Sequence, residues 1–376
     1  MGLIYRLLNT YYAAVPSKNR LYVTLLFKDR QLKNSPYDLG YKLFVQSSQS
    51  LMLTSGKISN YFTVNAMIKP SLIDSSQAMA DLLKVIKNEN VTAEQFKKLV
   101  QNYLEVGQES NYASQKYYLN HVISGFIPYK ASSVNAYLKT LSRKNFQAYL
   151  KNLLSLKNAS LIISGEIPLS EAKNLSNKLT VLENEAEKIT NEPPYEYKLK
   201  KQKNAEYSLR AEVIIPSLMI TSTLNTPRPK EKLCAEILKH LVVQKLYDEF
   251  RYKRGLGYYF GGVSQEMGNL TLFTLETSLY KENVKLVQQN IIKMMLGISS
   301  KGLSKASFDQ VKSYFEYKMT YDVNSPQKTI RYIAEHLAKG YPVEYMPYLN
   351  FINDLSNNDM KQTTRYWKNG YLISFV

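Results

Sequence analysis

The run RAEVIIPSLMITSTL, from Arg210 to Leu224, is rich in β-branched residues and predicts a strand, with Pro216 at a break or an edge. The periodicity then changes. Leu233, Ile237 and Leu241 recur at four-residue spacing, which places them on one face and predicts a helix from about Lys230 to Arg251. A glycine-broken turn follows. The strand NLTLFTLETSL comes next, from Asn269 to Leu279, and then a helix from about Lys281 to Leu296. Gly302 closes that helical region, and Ser304 and Ser307 are candidate caps for the next helix. Two further helices and a short strand, YLISFV, complete the pattern.

The same order of elements occurs earlier in the chain, displaced by about 212 to 215 positions. VTAEQFKKLVQNYL from Val91 parallels LSKASFDQVKSYFEY from Leu303, and YFTVNAM near Phe62 parallels LFTLETS near Phe273. KYYLNHVISGF parallels RYIAEHLAKGY, setting His121 on His336, Gly125 on Gly340 and Phe126 on Tyr341. The helix LSRKNFQAYLKNLL and the strand ASLIISGEI close the first repeat as the C-terminal elements close the second. A period this long predicts a duplicated domain rather than a solenoid unit. The expected fold is α+β, in two homologous domains of residues 1–189 and 209–376. Each is an antiparallel-rich mixed sheet packed with several helices. Residues 190–208, with a Pro-Pro pair and the charge run KLKKQK, form a semi-stiff exposed linker.

Composition narrows the function classes. A chain of 376 residues suits two domains, and 44% hydrophobic with 21% charged residues is an ordinary globular balance. The charge is unusual: 49 Lys and Arg against 31 Asp and Glu leave +18. Such a surplus suits nucleic acid, an anionic membrane surface or acidic peptides. The lysines are scattered among Asn and Tyr, however, and no stretch reads as a KH loop, an RRM core or a zinc knuckle, so a solvated surface is the preferred reading and no nucleic-acid partner is expected. A single cysteine, Cys234, lies in an apolar helical run and reads as a lone buried thiol, outside any disulfide framework. No run approaches the roughly 18 apolar residues of a membrane span. The N-terminus lacks the pattern of a signal peptide, which points to the cytoplasm while leaving a periplasmic or organellar chain cut from a longer precursor open.

The segment YDEFRYKRGLGYYFGG, Tyr247 to Gly262, sets a basic helix end against a glycine turn and three consecutive aromatic residues. With the duplicated α+β layout, it resembles the insulinase/pitrilysin family of zinc peptidases. Phe250, Arg251, Gly255, Leu256, Gly257 and Tyr258 stand in the places of that family's apolar-Arg pair, spacer and Gly-Leu-Ala/Gly-Tyr pattern. The resemblance spans essentially the whole chain and is strongest from about Lys230 to Lys318. In layout the chain is similar to the C-terminal half of large single-chain members, and equally to the zinc-free subunit of two-subunit ones.

Catalytic members of that family carry H-x-x-E-H, two imidazoles at helical spacing with a glutamate as general base. Here the corresponding helices read SPYDLGYKLFVQ and EKLCAEILKHL. His121, His240 and His336 are far apart, and Glu236 with His240 makes only a lone Glu-His pair. No metal site is expected in this chain; the resemblance implies zinc in a partner chain. It also implies that Arg251 and Tyr258, seven positions apart, serve substrate binding. Arg offers a fixed charge and a planar donor fork for peptide carbonyls or a carboxylate. A Tyr hydroxyl can donate to a developing oxyanion.

A structural reading of the same residues stands beside this one: Arg251 as a helix C-terminal cation, Tyr258 and Tyr259 as packed strand residues. His121 and His336, each four residues before a glycine, read as packing or capping groups. The function the resemblance implies is a zinc-free half or subunit of a metalloendopeptidase, not a complete peptidase alone. It would close a chamber around an extended peptide together with a zinc-bearing partner. The alternative is an inactive homologue acting as a scaffold or peptide-binding subunit of a larger assembly.

Overall fold

The computed structural model describes residues 4–7, 10–28, 51–58, 61–69, 74–87, 91–109, 142–156, 159–185, 206–209, 217–225, 227–267, 270–368 and 371–375. SPYDLGYKLFVQ, His121 and most of the 190–208 linker lie outside these residues. Contacts divide the chain into two units. One gathers the described residues of 1–195 with Tyr317–Tyr348; the other gathers those of Glu196–Glu316 and Leu349–Val376. Chain order and contact thus part company at Tyr317–Tyr348, which follows residue 209 in sequence yet clusters with the first unit.

The first unit holds strands β1 (Ile4–Leu7), β2 (Thr10–Ala13), β3 (Leu21–Lys28), β4 (Leu51–Ile58), β5 (Tyr61–Ile68) and β6 (Ala159–Gly165). They form one mixed sheet in the order β1-β2-β6-β3-β5-β4, in which only β2 and β6 run parallel. Helices α1 (Ser75–Lys87), α2 (Ala93–Glu109), α3 (Arg143–Leu153) and α4 (Leu169–Glu185) belong to this unit. Alternate residues of β3, namely Leu21, Val23, Leu25 and Phe27, face a core with Met79, Leu82 and Leu83 of α1 and Ala172 and Leu175 of α4. Thr24 and Leu26, on the opposite face, are buried as well, so β3 is covered on both sides.

The second unit holds β7 (Glu206–Leu209), β8 (Ser217–Asn225), β9 (Gly257–Met267), β10 (Leu270–Leu279) and β11 (Tyr371–Phe375), with α5 (Pro229–Leu246), α6 (Val284–Lys301) and α7 (Lys305–Asp322), the last running on into the first unit. Three helices complete the chain: α8 (Pro326–Lys339), α9 (Tyr345–Asn353) and α10 (Asn357–Lys368). Four helices therefore follow Gly302, one more than the sequence pattern predicts. Within the first unit α8 lies against β6, β2, β3 and β4, and Gln327 at its first turn donates to the Tyr22 hydroxyl. Tyr22 lies on the face of β3 opposite Leu21 and Val23, so the first sheet carries helices on both faces.

The second sheet runs β7-β11-β8-β10-β9. Its pairing senses repeat those of β2-β6-β3-β5-β4 strand for strand, with one parallel pair, β7 and β11, beside the closing strand. The predicted strand pair Phe62 and Phe273 falls on β5 and β10, at the same place in the two sheets. A second correspondence is finer. In the first unit Arg143 donates to the Val91 carbonyl, and the Gln147 side chain accepts from the Val91 amide. In the second, Asn357 donates to the Leu303 carbonyl and accepts from the Leu303 amide, at 2.8 and 2.9 Å. Each time, a helix near the end of the domain grips the backbone just before an earlier helix starts. Ser304 caps α7 as expected, accepting from the Ser307 amide.

Pro216 directly precedes β8, so this central strand has its full set of amides. Gly302 ends α6 at φ 78°, and a Cβ there would stand 2.6 Å from the Asn357 side-chain oxygen. Gly302→Ala should lower stability by about 1–3 kcal/mol, through backbone strain and loss of the Asn357 bracket. A urea midpoint equal to the unsubstituted chain's would contradict that assignment.

Candidate peptide-contact site

The basic helix end departs from a plain α-helix. Leu238, Val242, Leu246 and Phe250 are buried at four-residue spacing, a row that a 3.6-residue helix carries steadily round its axis. From Tyr247 to Lys253 the helix widens into π geometry, which slows that drift and keeps Phe250 inside. Phe250 packs near Phe260 of β9, and Tyr247 meets the same ring edge-on, with centroids 5.6 Å apart. The turn closes through the Leu256 amide, which donates to the Phe250 carbonyl at 2.8 Å. Gly255 supplies the left-handed residue at φ 66° that this closure needs. Gly257 then starts β9, where a Cβ would lie 2.7 Å from Phe260 Cζ and 2.8 Å from Leu279 Cδ2.

The pairing of β9 with β10 slips by one residue here. Tyr259 opposes Ser278 and Gly257 opposes Leu279, which leaves Tyr258 as the extra residue of a β-bulge. Bulges re-aim side chains, and this one points Tyr258 outward with 49% of its surface exposed. Tyr259 is also exposed, so neither tyrosine is the packed strand residue of the structural reading. Arg251 does stand as a cation in the last helical turn, as the structural reading has it. Its guanidinium reaches forward across the turn, donates to the Gly257 carbonyl at 3.0 Å and lies 5.8 Å from the Tyr258 ring centroid. The neighbouring cations are occupied differently. Glu249 accepts from both Arg254 and Lys253, and its carboxyl is held below the usual range chiefly by the Arg254 bond. Among the described residues no carboxylate pairs with Arg251.

Two residues outside the Arg-to-Tyr motif belong to this constellation. Tyr280, at the end of β10, meets the Tyr258 hydroxyl with its own, the rings edge-on at 5.2 Å. Asn283 donates to the Leu256 carbonyl at 3.3 Å and ties the turn to the start of α6. Only the hairpin register brings them here; their spacing in sequence carries no signal of it.

With this geometry in hand, comparison with known proteins is informative. Residues 140–315 match the family model described as the peptidase M16 inactive domain. That segment, a little under half of the chain, is similar to the M16 inactive domain. It includes α3, the whole Arg251–Tyr258 turn and most of α7, and the insulinase/pitrilysin resemblance read from the sequence holds. Among solved structures, a protease from Helicobacter pylori matches with a TM-score of 0.79 at 12% identity, covering 100% of this chain and 99% of that one. An M16-like peptidase from Alicyclobacillus acidocaldarius matches with a TM-score of 0.75 at 11% identity, covering 100% and 98%. The periplasmic protease PqqL from Escherichia coli matches with a TM-score of 0.72 at 11% identity; this chain is covered in full, but only 45% of PqqL is. At such identities these likenesses establish the M16 two-domain fold. No curated protein sequence matches the chain.

The family resemblance implies zinc in a partner chain, and the Cys and His side chains among the described residues of this chain are poorly suited to that ion. In α5, where the second repeat would carry the metal motif, Cys234 is fully buried and its thiol is pushed up to about 12 by burial, far from the thiolate a metal needs. His240 stacks on Tyr314 at 3.9 Å and meets Phe315 edge-on. His336 is buried among Tyr332, Tyr341 and Tyr348, with Nδ1 bonded to the Pro342 carbonyl at 2.7 Å, the packing role expected of it. No group of three His, Cys, Asp or Glu side chains able to hold a metal occurs among the described residues. No described helix is long and apolar enough to cross a membrane.

His240 gives this chain a pH signature. Burial first, and Lys239 second, lower its pKa below the ordinary 6.5. Below pH 6.5 the unfolded chain therefore binds more protons at this site than the folded one, so the contribution is intact above 6.5 and is lost as pH falls through that window. Melting temperatures recorded between about pH 7.5 and pH 5 should fall more steeply for the unsubstituted chain than for His240→Gln. Parallel profiles would show that His240 does not titrate on unfolding.

Proposed function

We propose that this chain is the zinc-free half of a two-part M16 metalloendopeptidase, arisen by internal duplication of one α+β domain. It pairs with a chain that carries the zinc motif, helps close a chamber around an extended peptide, and offers Arg251 and Tyr258 to that peptide. The observation that carries this reading is the Arg251–Tyr258 pair itself. A π-helical end, a left-handed glycine and a β-bulge combine to hold a guanidinium, paired with no carboxylate among the described residues, beside an outward-facing phenol. A purely structural helix end needs none of the three.

The chemistry assigned to each follows from its donors. Arg251 spends one N–H on Gly257 and keeps the rest for a peptide carbonyl or a terminal carboxylate. Tyr258 donates to the oxygen of the carbonyl under attack, where a fixed donor favours developing charge over the neutral ground state. Zinc and the hydrolytic step belong to the partner chain. The family description of an inactive domain, and the length match to less than half of PqqL, support a chain that acts with a second half.

The test is purification of this chain from its native source, with the eluate assayed for zinc and for cleavage of a quenched peptide. A partner bearing H-x-x-E-H should co-elute. Arg251→Ala and Tyr258→Phe should each lower kcat/KM by roughly 10²-fold, with zinc content unchanged. A chain that elutes alone, zinc-free and inert, would instead be a scaffold or peptide-binding subunit.

A further inference from the structure

The hydroxyl pair between Tyr258 and Tyr280 has a consequence for how Tyr258 meets a ligand. Two phenols that share a hydrogen bond hold one proton between them. Whichever oxygen accepts keeps its own proton for a third group. Both rings face solvent, Tyr258 at 49% and Tyr280 at 46%, so such a third group can reach them. The rings meet edge-on at 5.2 Å, an arrangement that restrains the Tyr258 side chain from one side while Arg251 lies over its face from another.

We propose that Tyr280 is the positioning residue for Tyr258. Its hydroxyl donates to the Tyr258 oxygen, fixes the phenol in one rotamer, and leaves the Tyr258 proton free to be given to a peptide carbonyl. This rests on the reading of Tyr258 as a peptide-contact residue. A hydroxyl that already accepts a hydrogen bond is polarised into a better donor, so the pair binds a carbonyl more tightly than an isolated tyrosine would. The anchor is stable because Tyr280 belongs to the same short junction as Asn283, which holds the Leu256 carbonyl, and Leu279, which packs where a Gly257 side chain would stand. The turn and the residue that orients its tyrosine are thus gripped by one segment, 279–283.

The experiment is a double-mutant cycle on peptide binding by the full chain, read by fluorescence anisotropy with a fluorescein-labelled β-casein peptide. Tyr280→Phe keeps the ring and removes only the hydroxyl. It should weaken binding roughly threefold to tenfold, the effect of one hydrogen bond, without changing the melting temperature. In a Tyr258→Phe background the same substitution should have no further effect, because Tyr280 acts through Tyr258. Equal affinity of Tyr280→Phe and the unsubstituted chain, with loss only in Tyr280→Leu, would reduce Tyr280 to a packing ring and overturn the inference. So would an undiminished effect in the Tyr258→Phe background. Binding that depends on Arg251 and Tyr258 but not on the Tyr280 hydroxyl would sink this inference alone. A chain that binds no peptide at all would remove the peptide-contact reading and this inference with it.

Discussion

One hydrogen bond, from the Leu256 amide to the Phe250 carbonyl, sets the geometry on which the candidate site depends. It spans six residues and closes a helix that has already widened, so the chain leaves α5 with Gly255 left-handed and enters β9 almost at once. Without that closure Gly257 would not sit under Phe260, the register slip at Tyr258 would have no fixed origin, and Arg251 would not find the Gly257 carbonyl. A single backbone bond contributes only about 1 kcal/mol. Its importance lies in position: it is the point at which the direction of the helix is converted into the direction of an outer strand.

The scaffold around the turn holds it firmly. Phe250 and Phe260 are fully buried, and Leu233, Ile237, Leu238 and Val242 anchor α5 along its length. The order and sense of the second sheet repeat those of β2-β6-β3-β5-β4 in the first. The counterpart of the Arg251–Tyr258 turn lies between β3 and β4, outside the described residues. Within the second unit the helix end, the β9–β10 hairpin and the junction 279–283 converge on two exposed side chains.

Much of this was legible in the sequence, because periodicity reports burial. The row Leu233, Ile237, Leu241 marked α5, and the β-branched runs marked β8 and β10. Strand β9 was legible only at Tyr258 and Tyr259, in the structural reading. Gly257 read as part of the turn, whereas it, Gly261 and Gly262 are strand residues whose missing side chains admit Phe260, the Tyr259 ring and the Lys239 stem. Glycine marks close approach as well as turning, and composition cannot separate the two. Nor did the sequence show that α8 joins the first sheet, since an amphipathic helix displays an apolar face without naming the surface it covers. Arg251 and Tyr258 were found through the motif. Tyr280 and Asn283 were missed because only the hairpin register brings them to the turn.

In the proposed complex the Arg251–Tyr258 turn faces the peptide bond that a zinc-bearing partner cleaves. Site-specific photocrosslinking tests it most directly, with Tyr258→p-benzoylphenylalanine in the assembled complex, an unfolded peptide as substrate, and mapping of the adduct by mass spectrometry. The account predicts an adduct on the substrate close to the bond that is cut. An adduct confined to this chain, or on peptide positions unrelated to the cleavage site, would contradict it.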